Sequence, residues 1–180
     1  MSGRAFAVVG PSGAGKDTLL QAALARRPDL YLVRRVITRG AEAGGEDFEG
    51  VSATEFARRD AAGDFALTWQ AHGLSYAIPE AAREAQAEGR DVVFNGSRAM
   101  LGAAAEAFAD LRVILVTAPR EVLAARLSER GRESADEIAA RVDRAVPPLP
   151  EGLPVTEIDN GGALGPAVEA MLAALQPVRA

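Results

Sequence analysis

Two rhythms alternate along the chain. Short apolar runs are followed by longer segments whose apolar positions recur every three or four residues, and this alternation predicts an α/β protein with a mainly parallel sheet. The runs Ala5–Val9, Tyr31–Thr38, Asp91–Asn95, Leu111–Thr117 and Val155–Ile158 read as strands. Phe65–Gln70 and Leu74–Ile78 flank Ala71-His72-Gly73 and read as two short strands with a turn. Helical spacing covers Leu19–Arg27, a segment that Pro79 opens and that reaches Glu88, one that begins at Gly96-Ser97-Arg98, one that Pro119 opens, and Leu164–Leu175. Ser52-Ala53-Thr54-Glu55 and Ser134-Ala135-Asp136-Glu137 are capping boxes, predicting helices to about Ala62 and Ala145, the second stopped by Pro147, Pro148 and Pro150. Between Arg39 and Asp47 the chain is polar and glycine-rich, a flexible loop by composition.

Composition narrows the class. The 180 residues suit one domain, 1–180, with a sizeable core. A net charge of −5 argues against a nucleic-acid binder. With no cysteine there is no disulfide, thiolate nucleophile or cysteine metal site. The apolar start is five residues long and lacks a signal pattern, and no apolar run approaches a membrane span. The expectation is a cytoplasmic protein with no membrane partner.

The first strand leads into Gly10-Pro11-Ser12-Gly13-Ala14-Gly15-Lys16-Asp17-Thr18 and then into a helix, which is the setting of a P-loop. Its glycines let backbone N–H groups curl around phosphate, and the helix terminus adds partial positive charge. Of 20 Lys and Arg residues, Lys16 is the only lysine. The chain has kept it where a compact ammonium is wanted and a planar guanidinium fits poorly. ATP is therefore expected over Gly10–Thr18. One letter departs from the pattern: Asp17 stands where a Ser or Thr hydroxyl normally meets Mg²⁺.

Arginines gather in two further places. Arg126, Arg130, Arg132, Arg141 and Arg144 surround the second capping box, and Arg141 and Arg144 are spaced to share a helical face. Arginines arriving on a closing lid can neutralise a transferring phosphoryl group, although Glu129, Glu133, Asp136, Glu137 and Asp143 are also available as partners for a solvated face. Arg34, Arg35 and Arg39, with Thr38, enter the glycine-rich loop. Strand alternation separates Arg34 from Arg35, leaving Arg35 and Arg39 as the candidates for an acceptor phosphate. Asn160 is either a rest for adenine or an Asn-Gly turn.

With these residues in view, the chain resembles guanylate kinase from end to end, through the P-loop, Thr38-Arg39, Gly73 with Tyr76, and Arg126-x-x-x-Arg130-Gly131 to Arg141. Asp17, the segment Val92-Val93-Phe94-Asn95-Gly96-Ser97-Arg98 and the short loop Gly44–Phe48 depart from that family. GPSGAGKD, FALTWQAHGLSYAIP, VVFNGSR and VTAPREVLAARLSERGRES together resemble ribose 1,5-bisphosphate phosphokinases. The resemblance implies a three-layer P-loop nucleotide kinase fold, with an acceptor-binding subregion at about 34–78 and a lid at about 126–144. It implies transfer of the ATP γ-phosphoryl group to ribose 1,5-bisphosphate, giving phosphoribosyl diphosphate in phosphonate degradation. Guanylate kinase is the alternative, and a non-catalytic guanylate-kinase-like interaction module a more distant one. Lys16, Arg130 and Arg141 are then expected to be catalytic, Arg126 to assist at ATP, and Arg35, Thr38, Arg39, Gln70, His72, Ser75 and Tyr76 to hold the acceptor. Mg²⁺ should bridge the β- and γ-phosphates, with Asp17 supplying the carboxylate that Asn95 lacks. A sugar phosphate attacks through an oxygen that is already ionised, so His72, the only histidine, is expected to be a contact rather than a base.

Overall fold

A computed structural model describes residues 1–40, 46–144 and 146–176. Its main sheet has five strands, all pairing in parallel, in the order β2 (Tyr31–Leu32), β7 (Val92–Asn95), β1 (Ala5–Val9), β8 (Leu111–Thr117), β9 (Val155–Asp159). β1 is buried along its whole length, because helices cover both faces of a parallel sheet. Its side chains alternate between them. Ala5, Ala7 and Val9 join Val92, Phe94, Leu101 and Ala104 in one core, reached by α3 (Ala81–Ala87) and α4 (Leu101–Ala107). Phe6 and Val8 join Leu19, Leu20, Val168 and Met171 in the other, reached by α1 (Lys16–Arg26), α5 (Arg120–Glu129) and α7 (Leu164–Ala174). The result is the expected three-layer arrangement.

A second sheet, in the order β4 (Phe48–Gly50), β3 (Arg35–Ile37), β6 (Leu74–Pro79), β5 (Phe65–Ala71), stands beside the first. α2 (Ala53–Ala61) packs Phe56 against Val36 and Ala77 beneath it. His72 and Gly73 close the β5–β6 hairpin with φ of 54° and 73°, the pair of positive angles a two-residue turn of this hand requires. α6 (Ala135–Val142) carries the full capping box at Ser134 and Glu137.

Several boundaries differ from expectation. Tyr31–Thr38 is not one strand: β2 belongs to the main sheet, and after the Val33 N–H has paired with Val93 the chain crosses to the second sheet as β3. β4 was hidden by its brevity and its terminal glycine. Pro79 ends β6 rather than opening a helix, a place where its missing N–H costs nothing, and α3 follows at Ala81. A 3₁₀ turn, Arg98–Met100, precedes α4. α6 stops at Val142; Ala145 and residues 41–45 of the expected flexible loop, Gly44 and Gly45 included, lie outside the described residues. No described helix is long and apolar enough to cross a membrane.

Candidate active site

The crevice beyond the carboxyl ends of β1, β7, β8 and β9 is where parallel α/β sheets bind ligands, and the Gly10–Thr18 loop fills its centre. Close approach dictates two of its glycines. A Cβ on Gly10 would collide with the Val116 carbonyl of β8. Gly15 caps α1 in the left-handed region, φ 86°, and a Cβ there would lie 2.5 Å from Asn160 Nδ2. Asn160, buried at the end of β9, donates from Nδ2 to the Ala14 carbonyl at 2.8 Å. Arg126 donates to the carbonyls of Gly13 at 3.2 Å and Asn160 at 2.6 Å. Both residues brace the loop from behind, a role that sequence reasoning did not assign to either.

Lys16 opens α1 and folds over the loop, its Nζ donating to the Gly10 carbonyl at 2.8 Å and the Pro11 carbonyl at 3.2 Å. The residue as a whole is half-buried, and its ammonium is desolvated. That burial, with Arg35 and Arg130 nearby, lowers its pKa to about 8 against the opposing pull of Asp17 and Glu46.

Asn95 stands at the end of β7 between two carboxylates. Its Nδ2 donates to Asp17 Oδ1 at 2.6 Å and to Glu46 Oε2 at 3.0 Å, while its Oδ1 is buried without a hydrogen-bond partner. Glu46 also takes the Arg35 Nε–H at 3.0 Å. The Arg35 guanidinium lies over Tyr76, which stacks on Trp69 with centroids 5.3 Å apart. Glu46 escaped sequence reasoning because it lies in a loop whose composition says only that it is polar; its partners come from β3 and β7. Asn95 with its orphan amide oxygen, Asp17 with its carboxylate and Thr18 with its hydroxyl line the same cavity, and oxygen is the donor that Mg²⁺ prefers.

Two cavities meet at this point. One, of about 310 Å³, runs from the P-loop to the end of α5 and is lined by Gly13, Gly15, Asp17, Thr18, Arg39, Glu46, Arg130 and Arg132, among others. The other, of about 370 Å³, runs from Gly10 and Pro11 to the β5–β6 hairpin, past Trp69, Gln70, His72 and Tyr76. Ser12, Lys16, Arg35, Gly96 and Arg141 line both. Their electrostatics differ. The first contains Asp17, Glu46 and Glu133; the second holds Lys16, Arg35, Arg98, Arg141 and Arg144, and no carboxylate among the described residues that line it.

Residues of the segment 126–144 line both cavities. Arg141 pairs with Glu133 and donates to Ser12 Oγ at 3.2 Å. Arg144 lies beyond the end of α6, with Nη1 3.2 Å from His72 Nδ1. A guanidinium only donates, so this ring nitrogen accepts. Thr38 and Ser75, expected beside the acceptor, are brought to each other: the Ser75 N–H donates to Thr38 Oγ1 at 2.9 Å. Thr38 and Arg39 line a shallow third hollow, with Arg39 reaching the first cavity as well. Ala14, within the loop, is fully buried.

The AAA domain family (AAA_33) matches residues 6–146. The chain is 51% identical over 179 residues to the ribose 1,5-bisphosphate phosphokinase PhnN of Ruegeria sp. (strain TM1040), covering 99% of this chain and 94% of that protein. With the protein of the same name from Agrobacterium fabrum (strain C58) it shares 45% identity over 172 residues, 94% of each. Its structure is similar to that of guanylate kinase from Anaplasma phagocytophilum, with a TM-score of 0.69 at 16% identity over 97% of this chain and 85% of that one; at this identity the likeness speaks for a shared fold alone. Nearly end-to-end identity of this size joins the two-cavity geometry to one group of kinases: the chain belongs to the ribose 1,5-bisphosphate phosphokinase family.

Proposed function

We propose that this chain transfers the γ-phosphoryl group of ATP to the 1-phosphate of ribose 1,5-bisphosphate, giving 5-phospho-α-D-ribose 1-diphosphate and ADP. The observation that carries the reading is the pair of cavities meeting at Lys16, Arg35 and Arg141, one provided with carboxylates and the other with cations and, among the described residues, no carboxylate. A nucleoside triphosphate with its divalent cation suits the first, and an acceptor with two phosphates suits the second. The step is an in-line displacement. An ionised oxygen of the 1-phosphate forms a bond to the γ-phosphorus, the bond to the β,γ-bridging oxygen breaks, and ADP leaves with that electron pair. No proton need be removed, which agrees with a site whose only histidine is turned toward Arg144.

The obstacle is repulsion between two anions, and the protein's part is to position and neutralise them. Lys16 and Arg141, on the shared wall, face both phosphoryl groups. Arg130 sits on the donor side, and Arg35, held flat by Tyr76, faces the acceptor. Gln70, His72 and Tyr76 line the sugar's side, while Thr38, Ser75 and Arg39 shape the subregion 34–78 behind it. Residues 126–144 act as the lid within a single domain, and Arg126 acts on ATP through the loop it braces. Asp17, with Thr18 and Asn95 Oδ1, would hold Mg²⁺, which when bound neutralises charge on the β- and γ-phosphates. A reaction that draws on ATP suits the cytoplasm.

Guanine offers N–H donors that a carboxylate reads best, and the second cavity has none among its described residues. This disfavours GMP as acceptor. The test is ³¹P NMR of the protein with ATP, Mg²⁺ and ribose 1,5-bisphosphate: a new pair of diphosphate resonances is expected, and their absence with active protein contradicts the assignment.

A further inference from the structure

Beyond the orphan Asn95 Oδ1, the segment Asn95-Gly96-Ser97-Arg98 has two more polar groups with nothing to bind. Asn95 lines the donor cavity, Gly96 lines both, and Ser97 and Arg98 line the acceptor cavity alone. The segment therefore leads away from the point of transfer. Ser97 Oγ and Arg98 Nε are both buried, and neither has a hydrogen-bond partner. Leaving a buried donor unpaired is costly, more so on a charged group, and a site that tolerates two of them in one cavity wall is built for a ligand that supplies the acceptors. Arg98 Nη1 reaches the Pro147 carbonyl at 3.4 Å, which draws it toward the segment that carries Arg144. No carboxylate among the described lining residues offers either arginine a counterion within the cavity.

We propose that Ser97 and Arg98, with Arg144 opposite, bind the phosphate of the acceptor that is not phosphorylated. This rests on the reading of the acceptor as a sugar bisphosphate. Its reacting phosphate meets Lys16, Arg35 and Arg141, where the two cavities join, and the second phosphate must lie further along. Ser97 and Arg98 line the second cavity and not the first, which puts them on that further stretch. Arg98 offers a phosphate two or more N–H donors in a planar fork, and the Ser97 hydroxyl a third. Specificity follows from the same contacts. An acceptor without the second phosphate leaves these buried donors unpaired, which discriminates more strongly than the mere loss of an attraction.

Calorimetric titration without ATP tests the subsite apart from turnover. Ribose 5-phosphate carries only the phosphate assigned here, and ribose 1-phosphate only the reacting one. Arg98→Ala should weaken ribose 5-phosphate binding by about 10- to 100-fold, the range of a charge-assisted hydrogen-bonded contact. Ser97→Ala should weaken it less, and Arg98→Lys should recover part of the loss. Ribose 1-phosphate binding should stay within about twofold in all three, which also shows that the variants are folded. An equal fall for both ligands, no fall for ribose 5-phosphate, or no binding of ribose 5-phosphate to the unaltered protein overturns the subsite. If the unaltered protein binds ribose 5-phosphate through Arg98 but does not turn over ribose 1,5-bisphosphate, the kinase assignment fails and the subsite stands.

Discussion

Lys16 shows how a single side chain is tuned by where the loop puts it. Its ammonium is held under the carbonyls of Gly10 and Pro11, and burial brings its pKa to about 8 from an ordinary 10.5. ATP binding should therefore weaken as pH rises from 7 to 9, with a midpoint near 8 in the free protein, and Lys16→Met should weaken binding and flatten that profile; a midpoint near 10 contradicts it. The same shift has a consequence for stability. Because the folded pKa lies below the unfolded one, keeping the proton in the fold costs most below about 8. That cost is lifted as pH rises from 8 to 10.5. Lys16→Met should melt higher than the unaltered protein at pH 7, with the gap closing toward pH 10.

Asp17 belongs to the same scale. It accepts from the Asn95 amide nitrogen, while the amide oxygen of Asn95 stands unpaired, so an acid after the lysine and an amide at the end of β7 meet side by side. Asp17→Ser should raise the Mg²⁺ concentration needed for half-maximal activity by about 10- to 100-fold. An unchanged Mg²⁺ requirement removes Asp17 from the metal site. The oddity of Asp17 was plain in the sequence, because the P-loop is a local pattern with a fixed expectation at each position. Glu46 was not, since nothing within the loop says that it will turn back to Arg35 and Asn95.

At the scale of elements, two arginines four residues apart at the end of α5 do different work. Arg126 spends its guanidinium on backbone carbonyls of Gly13, Ala14 and Asn160, whereas Arg130 faces the donor cavity. Arg126→Ala should lower both ATP affinity and stability, by about 2 kcal/mol for the lost charge-assisted bonds. Arg130→Ala should cut kcat by about a hundredfold or more and leave the melting temperature near its original value. Thermal denaturation beside steady-state kinetics separates the two, and a stable, active Arg126→Ala contradicts the brace. Sequence spacing placed both near the phosphates but could not divide them. The division depends on β9 delivering Asn160 beneath the loop, a contact between residues 34 positions apart.

The same limit explains which elements were legible. Helix caps at Ser52 and Ser134 fall where expected, the second as a full capping box and the first as an N-cap alone because Glu55 turns to Arg58, and capping is settled within four residues. The break between β2 and β3 is a choice between two sheets, made by pairing with β7 on one side and β6 on the other. An apolar run cannot announce that choice.

On the scale of the molecule, parallel pairing in the main sheet sends every strand's carboxyl end to one edge, and the second sheet stands beside that edge with Arg35, Trp69 and Tyr76 on the acceptor side. In the proposed reading donor and acceptor arrive from separate cavities, which among the described residues share the wall formed by Ser12, Lys16, Arg35, Gly96 and Arg141. The measurement that tests this most directly is kcat/KM with ATP and Mg²⁺ for ribose 1,5-bisphosphate and for GMP, followed by ADP release. The two-cavity account predicts efficient turnover of the bisphosphate and negligible turnover of GMP; turnover of GMP with none of the bisphosphate would contradict it.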